Sequence, residues 1–178
     1  LLKDSQIDNT SLLDLACGKG GDIPKWRDNS IDTCVGIDYI SNNIDDARDG
    51  ACSRYSFYKN QAEKQNKSMP KMYFLVGDSG KSIKNGESIT KPEYVQLANK
   101  LWKPNSVLKT NFSENKFNIV SVMFAMHYFF KNESTLDAFI QNISDNIQNG
   151  GYLVGCCFDG NKIFEKLKDV PKSGSIDR

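Results

Sequence analysis

Residues 11–22 read SLLDLACGKGGD, and this stretch decides the fold. SLLDLA at 11–16 is a short apolar run, and Gly18, Gly20 and Gly21 break it at once. That pattern describes a buried strand running into a glycine loop. Working outward, 22–27 opens a short helix, and TCVGI at 33–37 is a second buried strand that ends at Asp38. Ser41 caps a predicted helix that runs to about residue 58, with Ile44, Ala47, Ala51 and Tyr55 at helical spacing. The polar stretch 59–71, which carries Pro70, reads as a loop. YFLV at 73–76 is a third strand, ending at Gly77-Asp78. Residues 81–116 read as an insertion, with a helix over 92–102 whose first turn takes Pro92. FNIVSVM at 117–123 is a fourth strand. Leu136, Phe139, Ile140, Ile143 and Ile147 line an amphipathic helix ended by Gly150-Gly151. A fifth strand over 152–158 and a short helix carrying Ile163, Phe164 and Leu167 complete the pattern. Five alternations of strand and helix call for an α/β fold, a mostly parallel sheet with helices on both faces. Ligands of such sheets bind at the carboxyl ends of the strands.

The 178 residues are enough for one domain with a sizeable core, and the composition, 39% hydrophobic and 25% charged, is that of a globular protein. No apolar run approaches the roughly 18 residues of a membrane span. The net charge of +1 excludes a broad grip on many phosphates, so any nucleic-acid contact must be local. Cys17, Cys34, Cys52, Cys156 and Cys157 form no CxxC pair, and a single histidine cannot complete a two-histidine zinc site. They read as buried free thiols, with Cys156 and Cys157 on opposite faces of a strand. A start at Leu1 and a polar tail over 171–178 suggest a piece of a longer protein.

The strand ends carry the chemistry. The first supplies Asp14 and Gly18-Lys19-Gly20-Gly21-Asp22, the second Asp38, and the third Asp78-Ser79. The fourth supplies Met123-Phe124 with His127-Tyr128. Asp38 lies 20 residues beyond Gly18, where a carboxylate suits the two hydroxyls of a ribose. The ligand therefore contains a nucleoside. A dinucleotide needs a third small residue where this chain has Ile23, and Asp14 and Asp22 would repel a pyrophosphate. S-adenosylmethionine fits better, because it has the nucleoside, no phosphate, and two cationic centres. Asp14 can face its methionine end, Asp38 its ribose and Asp78 its adenine amino group.

These motifs resemble the mRNA cap guanine-N7 methyltransferases. LLDLACGKGGDIPKW at 12–26 is similar to that family's cofactor loop, FNIVSVMFAMHYFF at 117–130 to its guanine-pocket signature, and NGGYLVG at 149–155 to its next strand. The resemblance implies a Rossmann-like class I S-adenosylmethionine-dependent fold over 1–178, interrupted by the insertion. It implies that Asp14, Gly18, Asp22, Asp38, Asp78, Ser79 and Met123 hold S-adenosylmethionine, released as S-adenosylhomocysteine. Lys19 and Arg54 would meet the cap, and Phe124, His127 and Tyr128 would position the guanine, with no general base and no metal. Arg54-Tyr55 resembles an Arg-Tyr pair of the family but lies about one turn further from Asp38. Ala16 replaces a usual Gly, Met123 a frequent Gln, and the run 156–160 a GTTP-like sequence. The FDG sequence at 158–160 and the insertion resemble viral capping enzymes more than cellular ones. The implied partner is the capped 5′ end of mRNA, with guanylyltransferase and triphosphatase domains expected on the parent chain and no membrane. The implied location is the nucleus for a cellular parent, or a cytoplasmic factory or virion for a viral one. Two alternatives stay open: a methyltransferase with another substrate, and an inactive cofactor-binding subunit of a capping complex.

Overall fold

The computed structural model describes residues 9–104 and 111–168. The predicted polar tail and part of the 81–116 insertion lie outside the described residues. Five strands form one sheet: β1 (Ser11–Asp14), β2 (Thr33–Asp38), β3 (Lys71–Val76), β4 (Phe117–Met123) and β5 (Ile147–Cys156). Their order is β3-β2-β1-β4-β5, and every pairing is parallel. The order reverses between β1 and β4, which sets a crevice at their carboxyl ends.

Side chains alternate across the strands and feed two cores. Leu12, Cys34, Phe74 and Ile119 point to one face, where α1 (Ile23–Asp28), α2 (Ser41–Asp45) and α3 (Ala51–Lys64) bring Trp26, Ile44 and Ala51. Leu13, Val35, Leu75 and Val120 point to the other face. There α4 (Pro92–Trp102) contributes Leu101 and Trp102, and α5 (Glu133–Asn146) contributes Phe139. Phe129, from the 3₁₀ segment Met126–Lys131, stacks on Phe139 at 4.0 Å. The last helix, α6 (Gly160–Leu167), is capped by the Asp159 side chain.

Several expectations are corrected. The helix predicted from Ser41 to about residue 58 is two helices, broken over 46–50. Ser41 is not its cap; its hydroxyl bonds Asp45 instead. The break is fixed by Asp46, whose carboxylate accepts the amides of Arg48 and Asp49. A Cβ on Gly50 would lie 2.7 Å from backbone atoms of Asp46, so the turn needs glycine. The predicted loop 59–71 begins late, because α3 runs on to Lys64. At the other end, α5 stops at Asn146, and Ile147 opens β5 rather than closing a helix. Gly150-Gly151 thus lies within β5, next to a register shift against β4. Only Cys17 and Cys34 are buried; Cys52 and Cys157 are exposed and Cys156 is half-buried. Among the described residues, no helix is long and apolar enough to cross a membrane.

Candidate active site

The glycine loop is tied to β2 at two places. The amide of Cys17 donates to the Ile37 carbonyl at 3.0 Å, and that of Gly18 to Asp38 Oδ2 at 2.8 Å. Asp38 Oδ1 also accepts the Ile40 amide and the Asn43 side chain, each at 2.9 Å. Gly18 and Gly20 adopt φ of 54° and 70°, the left-handed region that glycine enters at least cost. At Gly20 a Cβ would also strike Ile23 Cδ1 at 2.7 Å.

Asp14 ends β1 with 1% of its surface exposed. Burial pushes its carboxyl up to about 7, and the nearby charges of Asp22 and Asp38 push the same way. The Ala16 amide, 3.2 Å from Oδ1, pulls it down, as does the adjacent Ser121 hydroxyl. The serine contact falls short of hydrogen-bond geometry, so that oxygen is a buried polar atom without a partner. A buried carboxyl of this kind accepts a cation readily, because a cation restores the charge that desolvation suppresses.

Past β3, Asp78 Oδ1 accepts the Gly80 amide at 2.9 Å. The loop 79–83 is gripped by Asn142 of α5, whose side chain bonds the carbonyls of Ser79 and Lys81 and the amide of Ile83 at 2.8–2.9 Å. Ser79 is buried and its hydroxyl is unpartnered.

Past β4, Phe124 has φ 55°, a strained conformation for an aromatic residue, and the residue is 56% exposed. Its amide is pinned to the Cys156 carbonyl at 2.9 Å. Its ring lies 5.7 Å from that of Phe158, which is 6.4 Å from His127, and His127 lies 4.1 Å from Tyr128. His127, Phe130, Phe158 and Ile163 line an apolar cleft of about 550 Å³. Phe129 belongs to the core, whereas Phe130 is exposed at this cleft.

The remaining candidates divide. Asp22 pairs with Lys25 at 2.5 Å and shares a smaller cleft with Met123 and Ser121. Lys19 Nζ lies 2.7 Å from both carboxylate oxygens of Asp49, and Arg54 Nε donates to the Asp49 carbonyl at 3.0 Å. A cleft of about 610 Å³, larger than the one at His127, lies between α1 and α3 at Arg27, Gln61 and Gln65 and contains none of the strand-end residues. Its size therefore does not mark the site; the convergent chemistry does. Sequence reasoning missed Asn43, Asp49, Asn142 and Phe158. Asn142 had a legible signal: a polar residue beside the apolar positions Phe139 and Ile143 of one helix.

The fold is that of Rossmann-like, S-adenosylmethionine-dependent methyltransferases. A solved S-adenosylmethionine-dependent methyltransferase from Clostridium acetobutylicum matches 93% of this chain and 49% of its own, with TM-score 0.50 and 14% identity. The YcgJ protein of Bacillus subtilis matches 94% of this chain and 53% of its own, with TM-score 0.50 and 12% identity. Both likenesses concern the fold. Within that class, the family model described as mRNA (guanine-N(7))-methyltransferase domain matches residues 2–176, and the chain belongs to this family. The probable mRNA-capping enzyme of Acanthamoeba polyphaga mimivirus is 31% identical over 94% of the chain. The mRNA cap guanine-N(7) methyltransferase 1 of Arabidopsis thaliana is 30% identical over 90% of the chain. The chain spans only 14% of the first relative and 36% of the second.

Proposed function

We propose that this chain carries the methyl-transfer centre of an mRNA cap guanine-N7 methyltransferase. One observation carries the reading: the buried acids Asp14 and Asp38 end the adjacent strands β1 and β2, and the exposed Phe124 follows β4, all at the carboxyl edge of one parallel sheet. S-adenosylmethionine, when bound, supplies an electrophilic methyl group on sulfur. Asp14 would meet its ammonium. Asp38, with three of its roughly four acceptor positions taken by protein N–H groups, retains one for a ribose hydroxyl. Asp78 has its second oxygen for the adenine amino group, and Ser79, Gly18, Asp22 and Met123 complete the enclosure.

Phe124, His127 and Tyr128 would position the acceptor guanine, and Phe158, whose ring lies beside those of Phe124 and His127, would join that set. N7 of neutral guanine carries a free lone pair, so no proton has to leave before attack and no residue is assigned as a general base. The contribution of these side chains is alignment, which converts an encounter into an oriented, effectively unimolecular step. The developing positive charge on the purine is favoured by the surrounding carboxylates. Lys19 and Arg54 would meet the cap phosphates. The parent protein would carry further capping domains, a guanylyltransferase and a triphosphatase, and would work where transcripts are capped: the nucleus of a cell, or the cytoplasmic factory or virion of a virus.

The test is transfer of a labelled methyl group by the full-length protein to GpppG-capped and uncapped RNA. The expected result is label on capped RNA alone, recovered as 7-methylguanosine after nuclease digestion. Label on uncapped RNA, or on a ribose, would refute the assignment.

A further inference from the structure

Three separate pieces of the chain meet at Asp49. The 46–50 turn is closed by Asp46, which accepts two amides, and by Gly50, which has no room for a side chain. A turn so firmly specified holds Asp49 in one place. Its carboxylate takes Lys19 Nζ with both oxygens at 2.7 Å, and its carbonyl takes Arg54 Nε at 3.0 Å. Lys19 stands between two glycines with left-handed backbones, so the loop itself does little to aim its long side chain. Asp49 supplies that aim.

We propose that Asp49 is a positioning residue for the phosphate chain of the acceptor. The proposal rests on the reading of Lys19 and Arg54 as cap-phosphate contacts. An ammonium has three protons, and two directed at Asp49 leave one for a phosphate oxygen. A guanidinium bound through Nε keeps both terminal nitrogens, the fork that grips a phosphate in two places. The two cations are thereby held together before the acceptor arrives, and the rotamer freedom of two long side chains is lost in advance rather than on binding. The trio has a net charge of one, so the site attracts a terminal phosphate chain without a broad basic surface, in keeping with the net charge of +1.

The rival view is that Asp49 merely competes with phosphate for Lys19. The two views differ in sign. In the full-length protein, Asp49→Asn keeps the size and the carbonyl of the residue but removes its charge. It should raise KM for GpppG-capped RNA about fivefold, the scale of one exposed ion pair. The kcat and the S-adenosylmethionine affinity should not change, and Asp49→Glu should recover part of the loss. Lys19→Ala should raise KM at least as far. The double variant should match Lys19→Ala alone, because the aspartate acts through the lysine. A KM that stays constant or falls in Asp49→Asn, while Lys19→Ala raises it, would overturn the positioning role and leave the cap contact intact. Additive effects in the double variant would overturn it as well. An unchanged KM in Lys19→Ala would remove the lysine from the acceptor site, and the proposal with it.

Discussion

Asp14→Asn tests the electrostatics of the cofactor end. In the wild type, burial pushes the carboxyl up to about 7 from its ordinary value of 3.8. Between these values the folded protein holds a proton that the unfolded chain has released, so stability falls as pH rises through the window. The full gap amounts to ~4 kcal/mol at 1.36 kcal/mol per pH unit, complete above pH 7 and absent below the unfolded value. Asparagine has nearly the same shape, can accept the Ala16 amide and does not ionise. The variant should therefore melt at the wild-type temperature near pH 4 and roughly 10 °C higher near pH 8. Every other titrating group is common to both proteins, so the difference between the melts isolates this one. Ligand binding should run the other way: wild-type affinity for S-adenosylmethionine should strengthen as pH rises through 7, because the ammonium requires the ionised carboxylate. The variant should bind weakly at every pH. Melting curves and calorimetric titrations across pH 4–8 supply both readings. A difference in melting temperature that does not change with pH would refute the argument, since a packing defect has no reason to titrate.

Three further outcomes follow from the geometry. His127→Ala should reduce cap methylation at least tenfold with S-adenosylmethionine affinity retained, because alignment is lost at the acceptor side alone; the exposed ring makes little change in melting temperature expected. Phe124→Gly should change stability by less than about 1 kcal/mol, since relief of the left-handed strain offsets the added chain entropy, while steady-state assays on capped RNA should show methylation largely lost. Asn142→Ala removes three hydrogen bonds to the loop 79–83 and should cost ~3 kcal/mol in urea denaturation, with a fall in cofactor affinity because Ser79 is no longer held.

The sheet was legible because buried parallel strands are short apolar runs, and each of the five stands between glycine or polar stretches. The strand-end acids were legible for the same reason: once the strands are placed, Asp14, Asp38 and Asp78 fall where ligands bind. The 46–50 turn was not, because Ile44, Ala47, Ala51 and Tyr55 keep helical spacing straight through it. Its physical marker is Asp49-Gly50, a turn dipeptide that the apolar pattern outweighed. The polar contact Asn43 was hidden by the same bias, and the one trace of Asn142 was its place among the apolar positions of its helix. An asparagine on a helix reads as a solvent-facing residue until the loop it holds is in place. Phe158 was visible as part of the fifth strand, but its partnership with Phe124 and His127 depends on how β5 aligns with β4, and the register shift between them has no clear trace in the sequence.

The parallel seam between β1 and β4 also governs how the chain reaches its shape. Ser11 and Asn118, bonded across that seam, are 107 residues apart. The units β1–α1–β2 and β2–α2–α3–β3 close over much shorter distances, and everything needed for them is synthesised first. At roughly 5–20 residues per second, the ribosome takes a further 2–8 s to add the residues from the end of β3 to the start of β4. Throughout that interval one edge of β1 is unpaired, next to the glycine loop. Pairing over long separations is the slow part of folding, so refolding of this chain should be limited by the docking of β4, and the half-formed sheet before that step is the species most prone to aggregate.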